Sequence, residues 1–146
     1  MAEINHKIGI KAEPSVIYQA LTTDTELAKW WTKDTKGASG LDSVIQFRFS
    51  GRGPDFKVSQ LEPDRLVVWK CVGGMPEAWF GTEISFQLIK EEKQTIVRFR
   101  HLDWKENSDF LAHCSTKWAI FLMSLKEYVE TGKGRPYPED VQIDHY

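Results

Sequence analysis

From Phe110 to Thr131 the chain carries a run with helical spacing that is apolar around most of its circumference. Leu111, Trp118, Leu122, Leu125 and Val129 recur at steps of three and four residues or their sum, which puts them on one face. Ala119, Ile120, Phe121 and Met123 widen that face well past an ordinary amphipathic stripe, leaving a narrow polar line of His113, Lys117, Ser124 and Glu127. A helix with so little polar surface has to be wrapped, and most of the remaining apolar sequence is strand-like. A sheet gripping a terminal helix makes a cup, and a cup offers room for a small apolar molecule.

The strand-like pattern has a period of two. In residues 3–11, Ile4, His6, Ile8 and Ile10 share one face and Asn5, Lys7 and Gly9 the other. Pro14 then suits the first position of a helix, where its missing N–H costs nothing. Thr23-Asp24-Thr25-Glu26 reads as a capping box opening a second short helix, from which Leu27, Trp30 and Trp31 point one way. Ile45, Phe47 and Phe49 alternate with Gln46 and Arg48. Further strands are predicted over residues 56–61, 65–72, 82–88 and 95–101, the last with Val97, Phe99 and His101 in phase. Short Gly-, Pro- and Asp-rich turns separate them, so neighbours run antiparallel with one wet and one covered face. In residues 65–72 both parities are apolar, which leaves the direction of Trp69 open. Gly132 is expected to close the last helix in a left-handed cap. The order is α+β: a strand, two short helices, about six strands and the long helix, as a curved antiparallel sheet around that helix. A length of 146 residues fits one domain over 1–146, with residues 133–146, containing Pro136 and Pro138, as an irregular tail.

Four segments taken in order resemble a known family. They are Ile10-Lys11-Ala12-Glu13-Pro14-Ser15-Val16-Ile17, Leu27-Ala28-Lys29-Trp30-Trp31, His101-Leu102-Asp103-Trp104, and Lys117-Trp118 with Leu122 and Leu125. Through them, residues 4–132 resemble the START-related (SRPBCC) superfamily, and within it the bacterial domains similar to the activator of the heat-shock-protein-90 ATPase. The resemblance implies a helix-grip fold, with neighbouring first and last strands and a hydrophobic cavity between sheet and last helix. That superfamily holds lipid and hormone carriers, polyketide cyclases and co-chaperones, so the fold implies a container and not its contents.

Composition removes other classes. The net charge of −2, from 19 basic and 21 acidic residues, is wrong for a nucleic-acid binder. No run of about 18 apolar residues spans a membrane, and the first residues have no signal-peptide core. Cys71 and Cys114 match neither a disulfide framework nor a metal pair, which points to a reducing, cytoplasmic setting. His101 and Asp103, or His113 and Cys114, lack zinc-ligand spacing; no metal or other cofactor is expected. Cys114 lies on the apolar side of the last helix, where a thiol is a small inert hydrophobe. Gly51-Arg52-Gly53 and Gly132-Lys133-Gly134-Arg135 do not open helices and make no phosphate loops.

The expected function is binding of a small hydrophobic or aromatic ligand, in preference to catalysis. Phe47, Phe49, Trp69, Phe86 and Phe99 would line the cavity from the sheet, together with His101, and Trp118, Leu122 and Leu125 from the helix. Trp31 and Trp104, near element ends, would stand at the entrance. His101 is the one candidate acid or base; its other reading is a strand-end histidine bonded to backbone or water. A cyclase- or hydrolase-like enzyme using His101 is therefore the second reading. A co-chaperone-like interaction domain is the third, because the resembling eukaryotic co-chaperones carry an additional N-terminal domain and this sequence opens on the first strand. A strand edge would allow two copies to pair as a homodimer.

Overall fold

The computed structural model describes residues 2–145. Its elements are β1 (Ala2–Ile10), α1 (Pro14–Thr22), α2 (Asp24–Leu27), β2 (Asp34–Lys36), β3 (Val44–Arg48), β4 (Pro54–Glu62) and β5 (Leu66–Gly74), then a 3₁₀ turn (Glu77–Trp79), β6 (Glu83–Lys90), β7 (Thr95–Trp104) and α3 (Asp109–Thr131). The strands form one antiparallel sheet in the order β1-β7-β6-β5-β4-β3-β2. It curves around α3, which is the α+β helix-grip architecture.

Each end of α3 is set locally. Ser108 Oγ accepts the Leu111 N–H at 3.2 Å, and Gly132 (φ 87°) turns its N–H back to the Tyr128 carbonyl at 2.8 Å. The buried face holds Cys114, Trp118, Phe121, Leu122 and Leu125, as the helical spacing predicts. Two positions exchange roles. Ser124, predicted on the polar line, is buried because its hydroxyl joins two backbones, donating to the Trp30 carbonyl and accepting the Arg135 N–H, both at 2.8 Å. Met123, predicted on the wrapped face, points outward at 46% exposure.

Pro14 opens α1 as expected. The capping box at Thr23 does not form. Thr23 ends α1 as well as starting α2, and its hydroxyl donates to the Gln19 carbonyl (3.1 Å) and the Glu26 carboxylate (3.3 Å) instead of capping a backbone N–H. Helix α2 is correspondingly only four residues long. Leu27, Trp30 and Trp31 are nonetheless all buried, and the Trp30 indole donates to the Ala20 carbonyl at 2.8 Å.

Register fixes which side chains face α3. Phe99 stands between His6 and Phe86, and His101 between Ile4 and Ile84. His6 and His101 therefore share the covered face, and the His6 ring bonds the Ser115 carbonyl of α3 at 3.0 Å. Pairing of Trp69 with Ile84 turns Trp69 inward, where it is fully buried. In the β3–β4 hairpin, Gly53 is required by close approach: a Cβ there would lie 1.8 Å from the Phe47 carbonyl oxygen.

The tail is irregular but fastened. Tyr137 bridges to Thr32 and sets its ring 5.2 Å from Phe49, while Glu139, Asp140 and Asp144 pair with Lys33, Lys117 and His113. Met1 and Tyr146 lie outside the described residues. No helix among the described residues is long and apolar enough to cross a membrane.

Candidate functional site

At one end of the cup, between the first turns of α3 and the loops facing them, a groove of about 340 Å³ opens to solvent. Helix α3 contributes Phe110, Cys114, Trp118 and Phe121 to it, one stripe at helical spacing. Opposite stand Gly53 and Pro54 of the β3–β4 hairpin, Met75 and Pro76 beyond β5, and Trp79 of the 3₁₀ turn. Positive φ at Ser50 (58°) and Gly51 (84°) folds the hairpin tightly, and the Phe49 N–H donates to the Arg52 carbonyl at 2.6 Å, which brings Arg52 to the rim. A volume near the lower end of the usual 300–1,000 Å³ with apolar walls suits a small organic molecule.

Of the eleven residues singled out by sequence pattern, Trp31, Phe49 and Trp118 border this groove. Phe47, Trp69, Phe86 and Phe99 are fully buried behind it, as are Leu122 and Leu125. Their rings meet one another, with centroids 5.5 Å apart for Phe47–Trp69, 5.1 Å for Trp69–Phe86 and 5.3 Å for Phe86–Phe99, so they close the bottom of the cup. Trp31, expected at the entrance, is 2% exposed and forms the inner wall. Trp104, also expected there, is one layer further in, against His101 (5.0 Å) and Phe110 (6.0 Å). Most of the groove residues that parity missed fall into two sets. Phe110 and Cys114 extend the helix stripe of Trp118 and Leu122 toward its N-terminus and Phe121 stands within it, a signal present in the sequence. Arg52, Gly53, Met75 and Pro76 are on loops and Pro54 is the first residue of β4, where periodicity is silent.

His101 is fully buried and has both ring nitrogens engaged. The Trp118 indole donates to Nδ1 at 3.1 Å, so the proton sits on Nε2 and goes to Thr82 Oγ1 at 2.9 Å; Thr82 in turn donates to the Trp79 carbonyl at 2.6 Å. Burial pushes its pKa down to about 3. The ring is thus neutral near pH 7 and does not border the groove. Its hydrogen bonds tie β7, the β5–β6 connection and α3 together. Cys114 does border the groove, but burial raises its thiol to about 12, which leaves it protonated and inert.

The polar rim consists of Arg52, His113 and Lys117. Lys117 is held by the Asp140 carboxylate and the Val141 carbonyl (3.2 Å), with its ammonium 5.2 Å above the Phe121 ring. His113 Nδ1 meets Asp144 at 2.8 Å. No cluster of three or more metal-ligating side chains occurs among the described residues.

Comparison with known proteins fits this architecture. A sequence model of the family described as Activator of Hsp90 ATPase homolog 1-like protein matches residues 11–130. The chain belongs to this family. Within it, a homologue from Colwellia psychrerythraea, solved in solution as an Aha1 dimer, is 61% identical, covers 92% of this chain and 100% of its own, and superposes with a TM-score of 0.85. Two more distant structures share the fold. A Staphylococcus saprophyticus protein is 17% identical over 92% of this chain and 97% of its own (TM-score 0.77). CalU16 from Micromonospora echinospora is 18% identical over 99% and 75% (TM-score 0.78). No curated protein matches the sequence. The match to the Hsp90-activator-like family starts at Lys11, so β1 lies outside the matched segment even though it pairs with β7 along its whole length.

Proposed function

We propose that the chain binds a small apolar or aromatic molecule in the groove between α3 and the β3–β4 and β5–β6 connections. The observation that carries this reading is the groove itself, about 340 Å³ and walled by Trp31, Phe110, Trp118 and Phe121. Enclosing an organic ring there removes apolar surface from water on both partners, at roughly 25 cal/mol per Å². Catalysis by His101 ranks behind binding, since that ring faces Trp118 and Thr82 and not the groove. Two free, buried thiols suit a cytoplasmic location.

N-phenyl-1-naphthylamine, a neutral apolar fluorophore, is expected to bind with one-to-one stoichiometry and brighten as it enters. Cys114→Leu, which adds volume to the wall, is expected to weaken it about tenfold, or ~1.4 kcal/mol. Absence of saturable binding to the folded wild-type protein sinks the reading. Native mass spectrometry of protein from its own host, followed by a denaturing run, would then identify the natural occupant.

Self-association is a second reading, favoured by the dimeric solution structure of the 61% identical homologue. Ordinary strand-edge pairing is a poor route to it. Lys126 of α3 already bonds the Gly9 carbonyl on the β1 edge, and the opposite edge strand, β2, has three residues. Light scattering is expected to give twice the 16.9 kDa chain mass; the single mass at every concentration removes this reading. A chaperone partner ranks third, with no surface feature among the described residues that favours it.

A further inference from the structure

Among the described residues, the groove's rim carries basic residue types, Arg52, His113 and Lys117, and no acidic one. Two of the three are already matched by the tail, Lys117 by Asp140 and His113 by Asp144. Arg52 forms no ion pair with any described residue. The contrast with Arg48, four residues earlier, is informative. Arg48 is used by the fold: its guanidinium donates to the carbonyls of Phe47, Gly53 and Pro54 and pairs with Asp55 at 2.8 Å. Arg52 has no such structural task, yet its backbone is pinned at the rim by the bridge to Phe49.

A guanidinium beside an apolar cleft favours a planar anion, because its fork of N–H groups matches two oxygens at once. The apolar walls favour a ring system. Resting on the ligand-binding reading above, we infer that the groove takes an amphipathic monoanion: an aromatic or alicyclic body between α3 and Trp79, with a carboxylate or similar acid group at Arg52. The body supplies most of the affinity by burial. The acid group sets orientation and favours the anion over a neutral molecule of the same shape, and Lys117, already matched by Asp140, leaves Arg52 as the charge that meets it.

The test uses two probes with one body. 1-Anilinonaphthalene-8-sulfonate is N-phenyl-1-naphthylamine with an added sulfonate. The sulfonate is expected to tighten binding to the wild-type protein, and raising the salt concentration is expected to erode only that advantage. Arg52→Gln is expected to weaken the anionic probe about 3- to 10-fold, with the neutral probe losing far less. Arg98→Gln, on the opposite face of the sheet, is expected to change neither. Equal affinity of both probes with no response to Arg52→Gln overturns the acid-group inference and leaves apolar binding standing. So does equal weakening of the anionic probe by Arg98→Gln, which would mark a general charge effect. Failure of both probes to bind saturably overturns the ligand-binding reading, and this inference with it.

Discussion

His101→Asn is expected to be less stable than the wild type at pH 7 by about 2–4 kcal/mol, and the gap is expected to narrow as the solution is acidified. The first part follows from the ring's partners. Asparagine is smaller and cannot serve Trp118 and Thr82 together, so it leaves a void and a buried donor or acceptor without a mate. The second part follows from linkage. The folded pKa of about 3 lies below the ordinary value of 6.5, so the native state binds fewer protons than the unfolded chain between those limits. His101 therefore contributes its full stability above pH 6.5 and loses it as the pH falls toward 3, with a slope of at most about 1.4 kcal/mol per pH unit. Asparagine has no such slope. At pH 4.5 the difference between the two proteins is expected to be smaller by about 2–3 kcal/mol than at pH 7, as read from urea unfolding of both. A gap independent of pH would show that the buried ring is not held neutral.

Trp31→Ala is expected to cost about 3–5 kcal/mol, with a melting temperature lower by roughly 10 °C or more. The indole lies flat against Trp69, with planes 2° apart and centroids 6.2 Å apart, and approaches Phe47 at 4.2 Å and Trp118 at 4.9 Å. Removing it takes contacts from β3, β5 and α3 at once and opens the groove inward. Against the roughly 5–15 kcal/mol that holds a domain together, that is a large share. Trp31→Phe, which keeps a ring in the same place, is expected to lose less than half as much. Thermal unfolding that leaves Trp31→Ala indistinguishable from the wild type would mean that the neighbouring rings close over the gap.

Much of the architecture was legible from spacing. The long helix, its Gly132 terminus, the Pro14 start and the inward row of Val97, Phe99 and His101 follow from periods of 3.6 and 2 and from turn chemistry. What escaped lacked any period. Asp34-Thr35-Lys36 is polar throughout and becomes a strand because Arg48, Phe47 and Gln46 offer it an edge. Thr23 has the composition of a cap, but the carbonyl left over by α1 competes for its hydroxyl. Met123 and Ser124 are adjacent on α3, and only the arrival of Trp30 and Arg135 decides which of them is buried. For the site, parity states that Phe47, Trp69, Phe86 and Phe99 face inward. It does not state how far along the strands their rings fill the space. They fill it at the bottom, and the void persists where short loops face the first turns of α3.

The six tryptophans form one connected set: Trp30 and Trp69 flank Trp31, Trp31 meets Trp118, and Trp118 reaches Trp104 through Trp79. At such separations indoles share electronic excitation, so light absorbed by any of them migrates through all. Trp31, Trp79 and Trp118 also border the groove. A near-ultraviolet chromophore lodged there would drain the emission of the whole molecule, and a colourless occupant would still perturb the circular dichroism of the parallel Trp31–Trp69 pair. Any occupant of the groove would thus be reported by the protein's own tryptophans, without a label.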